Sequence, residues 1–231
     1  MKNQTPSQVP TSSQMNIVCC KWVFKVKRKA NGSIDRYKAR LVAKGFNQQE
    51  GFDYAETFSP VVKPATIRTI LSLVVSSNWS LLQLDVRNAF LNGYLEEAVY
   101  MKQTPGFHDS SRPQDVCQLH KALYGIKQAL KAWFQRLSAF LLAQGFAHSQ
   151  SDASLFIHRS SSCTIYVLVY VDDIIVTGSE LQHVHRFFDQ LCSTFDCRQV
   201  GELNFFLGME NTRFTNHLFL SQTRYAVDLL K

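Results

Sequence analysis

No apolar run in this chain reaches the roughly 18 residues that a membrane-spanning helix needs. The amino-terminal stretch from Met1 to Gln14 is polar, rich in Ser, Thr and Gln, and lacks the apolar core of a secretory signal. Secretion is therefore not expected, and the chain reads as intracellular, in cytoplasm or nucleus, with no membrane partner. Disulfide and zinc signals are lacking: the six residues Cys19, Cys20, Cys117, Cys163, Cys192 and Cys197 show neither zinc-type paired spacing nor a disulfide framework. Free thiols in a reducing compartment are the expectation. Histidine offers no metal site either, because His183 and His185 lie two apart on a predicted helix and point to different faces. Acid is also in short supply, with 18 Asp and Glu against 25 Lys and Arg and a net charge of +7.

What is present is apolar material. Hydrophobic residues make up 45% of the 231, including 17 Phe and 8 Tyr, enough to build the core of one large domain or two small ones. The positive charge is concentrated. Between Lys21 and Lys44 nine basic residues (Lys21, Lys25, Lys27, Arg28, Lys29, Arg36, Lys38, Arg40 and Lys44) face one acid, Asp35, so this segment carries +8 and the remainder −1. Such a patch is either the footprint of a polyanion partner or a solvated lysine-rich surface. Its pattern is a β-hairpin: Trp22 to Val26 alternates as a strand, Asn31-Gly32-Ser33 signals a turn, and Ile34 to Ala43 returns. Lys38 and Arg40, two apart, project from one face of the return strand.

Against this background Asp172 and Asp173 are out of place. They interrupt an apolar stretch, with Ile165 to Val171 before them and Ile174 to Val176 after. A carboxylate removed from water costs several kcal/mol, roughly, unless a cation or good hydrogen bonds compensate. At a hairpin tip the natural compensator is a divalent cation that prefers oxygen, usually magnesium. Turn chemistry does not explain the pair, since neither glycine nor asparagine flanks it.

The rest of the chain supplies a scaffold. Residues 1–16 read as a disordered lead-in. Pro64 opens a helix with Ile67, Ile70, Leu71 and Val74 on one side, ending near Asn78. Leu81 to Val86 is a strand bearing Asp85, a second helix runs from Ala129 to a stop at Gly145, and a third from Leu181 to Phe195. Leu203 to Phe206 and a hairpin around Asn216 read as strands, and Tyr225 to Leu230 as a helix start. From residue 81 the order is strand, helix, strand, strand, helix, strand, the split βαβ arrangement of ferredoxin-like α+β domains, an antiparallel sheet with helices on one face. It brings Asp85 beside the Asp172–Asp173 hairpin. Three carboxylates so gathered can hold two magnesium ions about 3.5–4 Å apart, the arrangement used for in-line phosphoryl displacement. Phe90, five residues after Asp85, is either a core residue or a ring lying under a nucleotide sugar to exclude a 2′-hydroxyl.

These residues carry a resemblance. Tyr170-Val171-Asp172-Asp173 resembles the signature of reverse transcriptases. The copia-type retrotransposon branch is indicated by Lys21-Trp22-Val23-Phe24-Lys25, by the run from Arg36 to Phe46, by Glu56 to Val61, Gln83-Leu84-Asp85-Val86 and Val99-Tyr100-Met101, and by Leu123-Tyr124-Gly125 with Lys127-Gln128 and Phe206-Leu207-Gly208. The resemblance runs from about residue 19 to the end, downstream of a lead-in that looks unrelated. It implies a fingers-and-palm fold, with fingers over 17–80, a palm over 81–220 into which part of the fingers (about 92–127) is inserted, and 221–231 as the start of a truncated thumb or connecting helix, the thumb itself being absent. It implies template-directed deoxynucleotide transfer, with Asp85, Asp172 and Asp173 catalytic and, with the Val86 carbonyl, ligands of two Mg2+ ions, for which Mn2+ is a substitute. Deoxynucleoside triphosphates would be met by Lys38, Arg40, Phe90, Gly125, Lys127 and Gln128. An RNA or DNA template–primer duplex would be met by Lys25, Lys27, Arg28, Lys29, Phe206, Leu207 and Gly208. Two departures stand out: Leu130-Lys131 where the family reads proline and arginine, and Tyr94 where it reads an acid.

Overall fold

The structure is a computed structural model describing residues 6–29, 31–202, 205–206, 209–214 and 217–230. Along the chain the strands and helices are β1 Pro6–Val9, β2 Ile17–Val18, β3 Cys20–Arg28, β4 Ile34–Ala43, α1 Pro64–Ser76, β5 Ser80–Val86, β6 Tyr94–Met101, β7 Val116–Lys121 and α2 Ala129–Ala143. There follow β8 Ala147–His148, β9 Leu155–Arg159, β10 Thr164–Tyr170, β11 Asp173–Gly178, α3 Leu181–Thr194, β12 Cys197–Glu202, β13 Phe205–Phe206, β14 Met209–Arg213, β15 Leu218–Ser221 and α4 Thr223–Leu229. They divide into two compact units, residues 1–59 with 90–137, and residues 60–89 with 138–231.

In the first unit β3 and β4 form the expected basic hairpin, with Lys25 opposite Lys38, Lys27 opposite Arg36 and Val23 opposite Arg40. Directly opposed residues share a face, so this ribbon has two different sides. One is cationic, with Lys25, Lys27, Arg36, Lys38 and Arg40; the other carries Trp22, Phe24, Val26, Tyr37 and Leu41. Its tip closes through Gly32 at φ +82° and a hydrogen bond from Arg28 to the Gly32 carbonyl. A second sheet, in the order β1-β7-β6-β2, packs Val18, Val99, Met101 and Leu119 against Leu123, Ile126 and Ala129. Residues 6–9 thus form a strand, not a disordered lead-in: Pro6–Val9 pairs antiparallel with Val116–Leu119. Its partner edge lies more than 100 residues away, and no local apolar pattern announces it.

The second unit is built on a six-stranded sheet, β12-β5-β11-β10-β9-β8. The run Ile165 to Val176 is almost uniformly apolar because both faces of its strands are covered. On one face Leu81, Leu155, Leu168 and Ile175 pack under the Ile67, Ile70, Leu71 and Val74 side of α1. On the other, Leu82, Leu84, Val167, Val169, Ile174 and Val176 are all buried, and α3 contributes Val184, Phe187, Phe188 and Leu191. Phe195 carries this layer on to Phe140 of α2 by an edge-to-face contact of 5.3 Å. The expectation of helices on one face is corrected: α1 covers the second face of the sheet. The segment that interrupts the sheet unit runs over 90–137.

Asp152 fixes α1 in place. Its buried carboxylate accepts from the Lys63 amide (2.9 Å), the Thr66 hydroxyl (2.6 Å) and the Ser154 amide (3.0 Å), doing for the helix start what no local side chain does. All six cysteines are free, and among the described residues no helix is long and apolar enough to cross a membrane.

Candidate functional site

β10 and β11 are joined by a two-residue turn, Val171–Asp172, with Tyr170 opposite Asp173. Val171 lies at φ +57°, where a β-branched side chain is strained by roughly 1–3 kcal/mol. On the next strand Asp85 lies directly opposite Asp173, and the Val86 amide donates to the Asp172 carbonyl at 2.9 Å. The turn is thus fastened to the end of β5. Val86, singled out for its carbonyl, enters this linkage through its N–H.

Pairing puts Asp85, Asp173, Gln83 and Ile175 on the sheet face that α1 covers, where apolar packing by Leu81, Leu168 and Ile175 gives way toward the turn to carboxylates. Burial and the negative charges of Asp172 and Asp85 push the Asp173 carboxyl up to about 6, against a pull downward from a Gln83 hydrogen bond. Gln83, two residues before Asp85, is 4% exposed. It and Arg198, the exposed cross-strand partner of Asp85 on β12, were not anticipated from sequence. The spacing from Asp85 could have indicated Gln83; the register that brings Arg198 across has no local signal. Burial also drives the thiol of Cys197, opposite Val86, far upward, assisted by Cys192, Asp196 and Asp85, so it is inert as a nucleophile.

Among the described residues no group of three or more His, Cys, Asp or Glu side chains is gathered closely enough to hold a metal ion. The fit to a divalent cation therefore rests on donor chemistry. Three acidic residues at one sheet end are hard oxygen donors, and the repulsion registered at Asp173 is what a bound cation relieves.

The other anticipated residues lie in both units. In the first unit Lys38 and Arg40 are half-buried on the cationic face of the ribbon, beside exposed Lys25 and half-buried Lys27, while Arg28 and Lys29 are exposed at its tip. Gly125, at φ +94°, is pressed on β4 so closely that a Cβ there would collide with the Ala43 carbonyl. The Lys127 amide donates to Gln48 Oε1 (2.8 Å), and its side chain is exposed. Gln128 is 2% exposed, accepts from Gln48 Nε2 (3.1 Å) and donates to the Asp53 carbonyl (3.0 Å). Phe90 is half-buried and packs edge-on against Tyr124. Phe206 lies in the second unit. Its ring is buried against Tyr170 and the α1 core. Leu207 and Gly208 lie outside the described residues.

Comparison with known proteins places these residues in context. The family described as Reverse transcriptase (RNA-dependent DNA polymerase) matches the chain over residues 3–231. The match includes most of the lead-in expected to be unrelated. The chain is 51% identical over 221 residues to the retrovirus-related Pol polyprotein from transposon RE1 of Arabidopsis thaliana, covering 96% of this chain and 15% of that protein. It is 40% identical over 233 residues to the Pol polyprotein from transposon TNT 1-94 of Nicotiana tabacum, covering 100% of this chain and 18% of the relative. It therefore spans less than a fifth of the length of these relatives.

Proposed function

The chain belongs to the reverse transcriptase family of copia-type retrotransposons, and on that premise we propose that it performs template-directed transfer of deoxynucleotides to a primer 3′-hydroxyl. The observation that carries the proposal is the pairing of Asp85 with Asp173 next to a strained turn that holds Asp172. The strand order β12-β5-β11-β10 supports reading the second unit as a ferredoxin-like palm, and the cationic ribbon supports reading the first as fingers.

In the reaction the primer 3′-hydroxyl gives up its proton to water, its oxygen attacks the α-phosphorus, the bond to the bridging oxygen breaks, and pyrophosphate leaves. Asp85, Asp172 and Asp173, with the Val86 carbonyl, are the donors that would hold two Mg2+ ions, or Mn2+ in their place, which supply Lewis-acid activation of the hydroxyl and charge neutralisation at the leaving group. Gln83 fixes the Asp173 carboxyl. Lys38 and Arg40 meet the triphosphate of the incoming nucleotide, and Phe90 excludes a ribose 2′-hydroxyl. Gly125 lets its loop lie on β4, Gln128 and Gln48 brace that loop, and Lys127 extends from it. The template–primer duplex, RNA or DNA, lies along Lys25, Lys27, Arg28 and Lys29.

Primer extension with oligo(dT) on poly(A), dTTP and Mg2+ tests this reading. Asp172→Asn should lower the rate on the order of a hundredfold, the scale of a lost metal contact; equal rates in parent and variant overturn it. A second reading, a nucleic-acid binder without catalysis, is favoured by the ribbon's opposed cations Lys25 and Lys38. Duplex affinity insensitive to salt between about 50 and 200 mM would refute the role of the ribbon in either reading.

A further inference from the structure

In the first unit one aromatic residue ties the cation assigned to the triphosphate to the ring assigned to the sugar. The guanidinium of Arg40 lies 4.6 Å from the centroid of the Tyr124 ring. Phe90 meets the same ring edge-on, with centroids 4.5 Å apart and planes at 67°. No ion pair among the described residues includes Arg40, and its Nε–H is buried without a hydrogen-bond partner. An arginine held by a carboxylate is neutralised by it; one held by a π face keeps its charge and its donors for an incoming anion. The backbone fixes this geometry. The Ala43 amide donates to the Tyr124 carbonyl at 2.7 Å, the Gly45 amide to the Gly125 carbonyl at 3.1 Å, and Gly125 at φ +94° rests on Val42 and Ala43 of the strand that bears Arg40.

We propose that Tyr124 is a positioning and specificity-determining residue, whose ring holds Arg40 in place and out of ion pairs for the triphosphate while bracing Phe90 against a ribose 2′-hydroxyl. The identity of the nucleotide rests on the polymerase reading above; the anion-holding half does not. Two consequences follow from one side chain. Loss of the ring weakens anion binding through Arg40, and it loosens Phe90 so that ribonucleotides are admitted.

The test compares Tyr124→Leu, Tyr124→Met and Tyr124→Phe with the parent and with Arg40→Ala, with urea midpoints confirming that each variant is folded. Inorganic tripolyphosphate affinity is measured by titration, and KM and kcat for dTTP and UTP by extension on poly(A). The Leu and Met variants should lose roughly five- to thirtyfold in tripolyphosphate affinity and show a KM for dTTP raised by a similar factor, the range of a partly desolvated cation–π contact. Their kcat should change little and their preference for dTTP over UTP should fall, whereas Tyr124→Phe restores both properties toward the parent. Unchanged affinity and preference in the Leu and Met variants overturns the inference, as does a parent that binds tripolyphosphate no better than Arg40→Ala. A parent that binds tripolyphosphate in a Tyr124-dependent way yet extends no primer overturns the polymerase reading and supports the Tyr124–Arg40 contact.

Discussion

Asp173→Asn should make this protein more stable at neutral pH, even as it removes a carboxylate from the site. In the folded chain the Asp173 carboxyl is raised from 3.8 to about 6 by burial and by Asp172 and Asp85. The native state therefore binds this proton more tightly than the unfolded one. Stability associated with Asp173 is full below about pH 3.8, declines as pH rises toward 6, and is absent above it. The difference of about two pH units corresponds to about 3 kcal/mol at full strength. Solvent screening at a partly exposed position reduces that to about 1–2 kcal/mol. Asparagine keeps an acceptor for Gln83 and abolishes the repulsion, so at pH 7.5 the urea midpoint should rise by roughly 0.5–1 M. The gap should close by pH 4, where the parent carboxyl is protonated and other titrating groups cancel between the two proteins. Intrinsic fluorescence in urea across this range measures it. A variant less stable than the parent at pH 7.5, or a gap of the same size at both pH values, refutes the assignment.

Three further outcomes are expected. Asp152→Ala should lower stability by about 2–4 kcal/mol at pH 7 by urea unfolding, because two donors at the start of α1 and the Ser154 amide in its own loop lose their acceptor. Burial alone would raise the Asp152 carboxyl, but the hydrogen bonds from Lys63, Thr66 and Ser154 outweigh it and lower it, so its contribution should persist above its unfolded value and fade only as pH falls below about 4. Gly125→Ala should cost about 3 kcal/mol, from a positive φ and a collision with the Ala43 carbonyl, read as a lower melting temperature. Lys25→Ala should weaken binding to duplexes of any sequence alike and reduce the slope of log affinity against log salt by about one.

Periodicity and turn signals in the sequence located the elements around the carboxylates well. The three-and-four spacing of Ile67, Ile70, Leu71 and Val74 became the buried side of α1, and Asp85 lies opposite Asp173. Other features depend on partners that local pattern does not encode. Pro6–Val9 is a strand only because Val116–Leu119 presents an edge to it. Gln128 looks exposed and polar in sequence, yet it is buried because Gln48 and Asp53 satisfy its amide. Phe206 belongs to a motif expected to touch nucleic acid, but it fills a gap beside Tyr170. In each case a residue distant in sequence decides.

The excursion over 90–137 that interrupts the sheet has a consequence for synthesis. β5 is a central strand, with Leu82, Leu84 and Val86 buried and β11 and β12 on either side. Its nearest hydrogen-bonding partner in sequence, β11, is made roughly 90 residues later, a delay on the order of 5–20 s at usual rates of elongation. Until then an apolar strand with two unpaired edges is exposed in the growing chain, the kind of segment that pairs with other chains. Slowing initiation or lowering the temperature during expression should therefore improve the soluble yield more than any change to the finished surface.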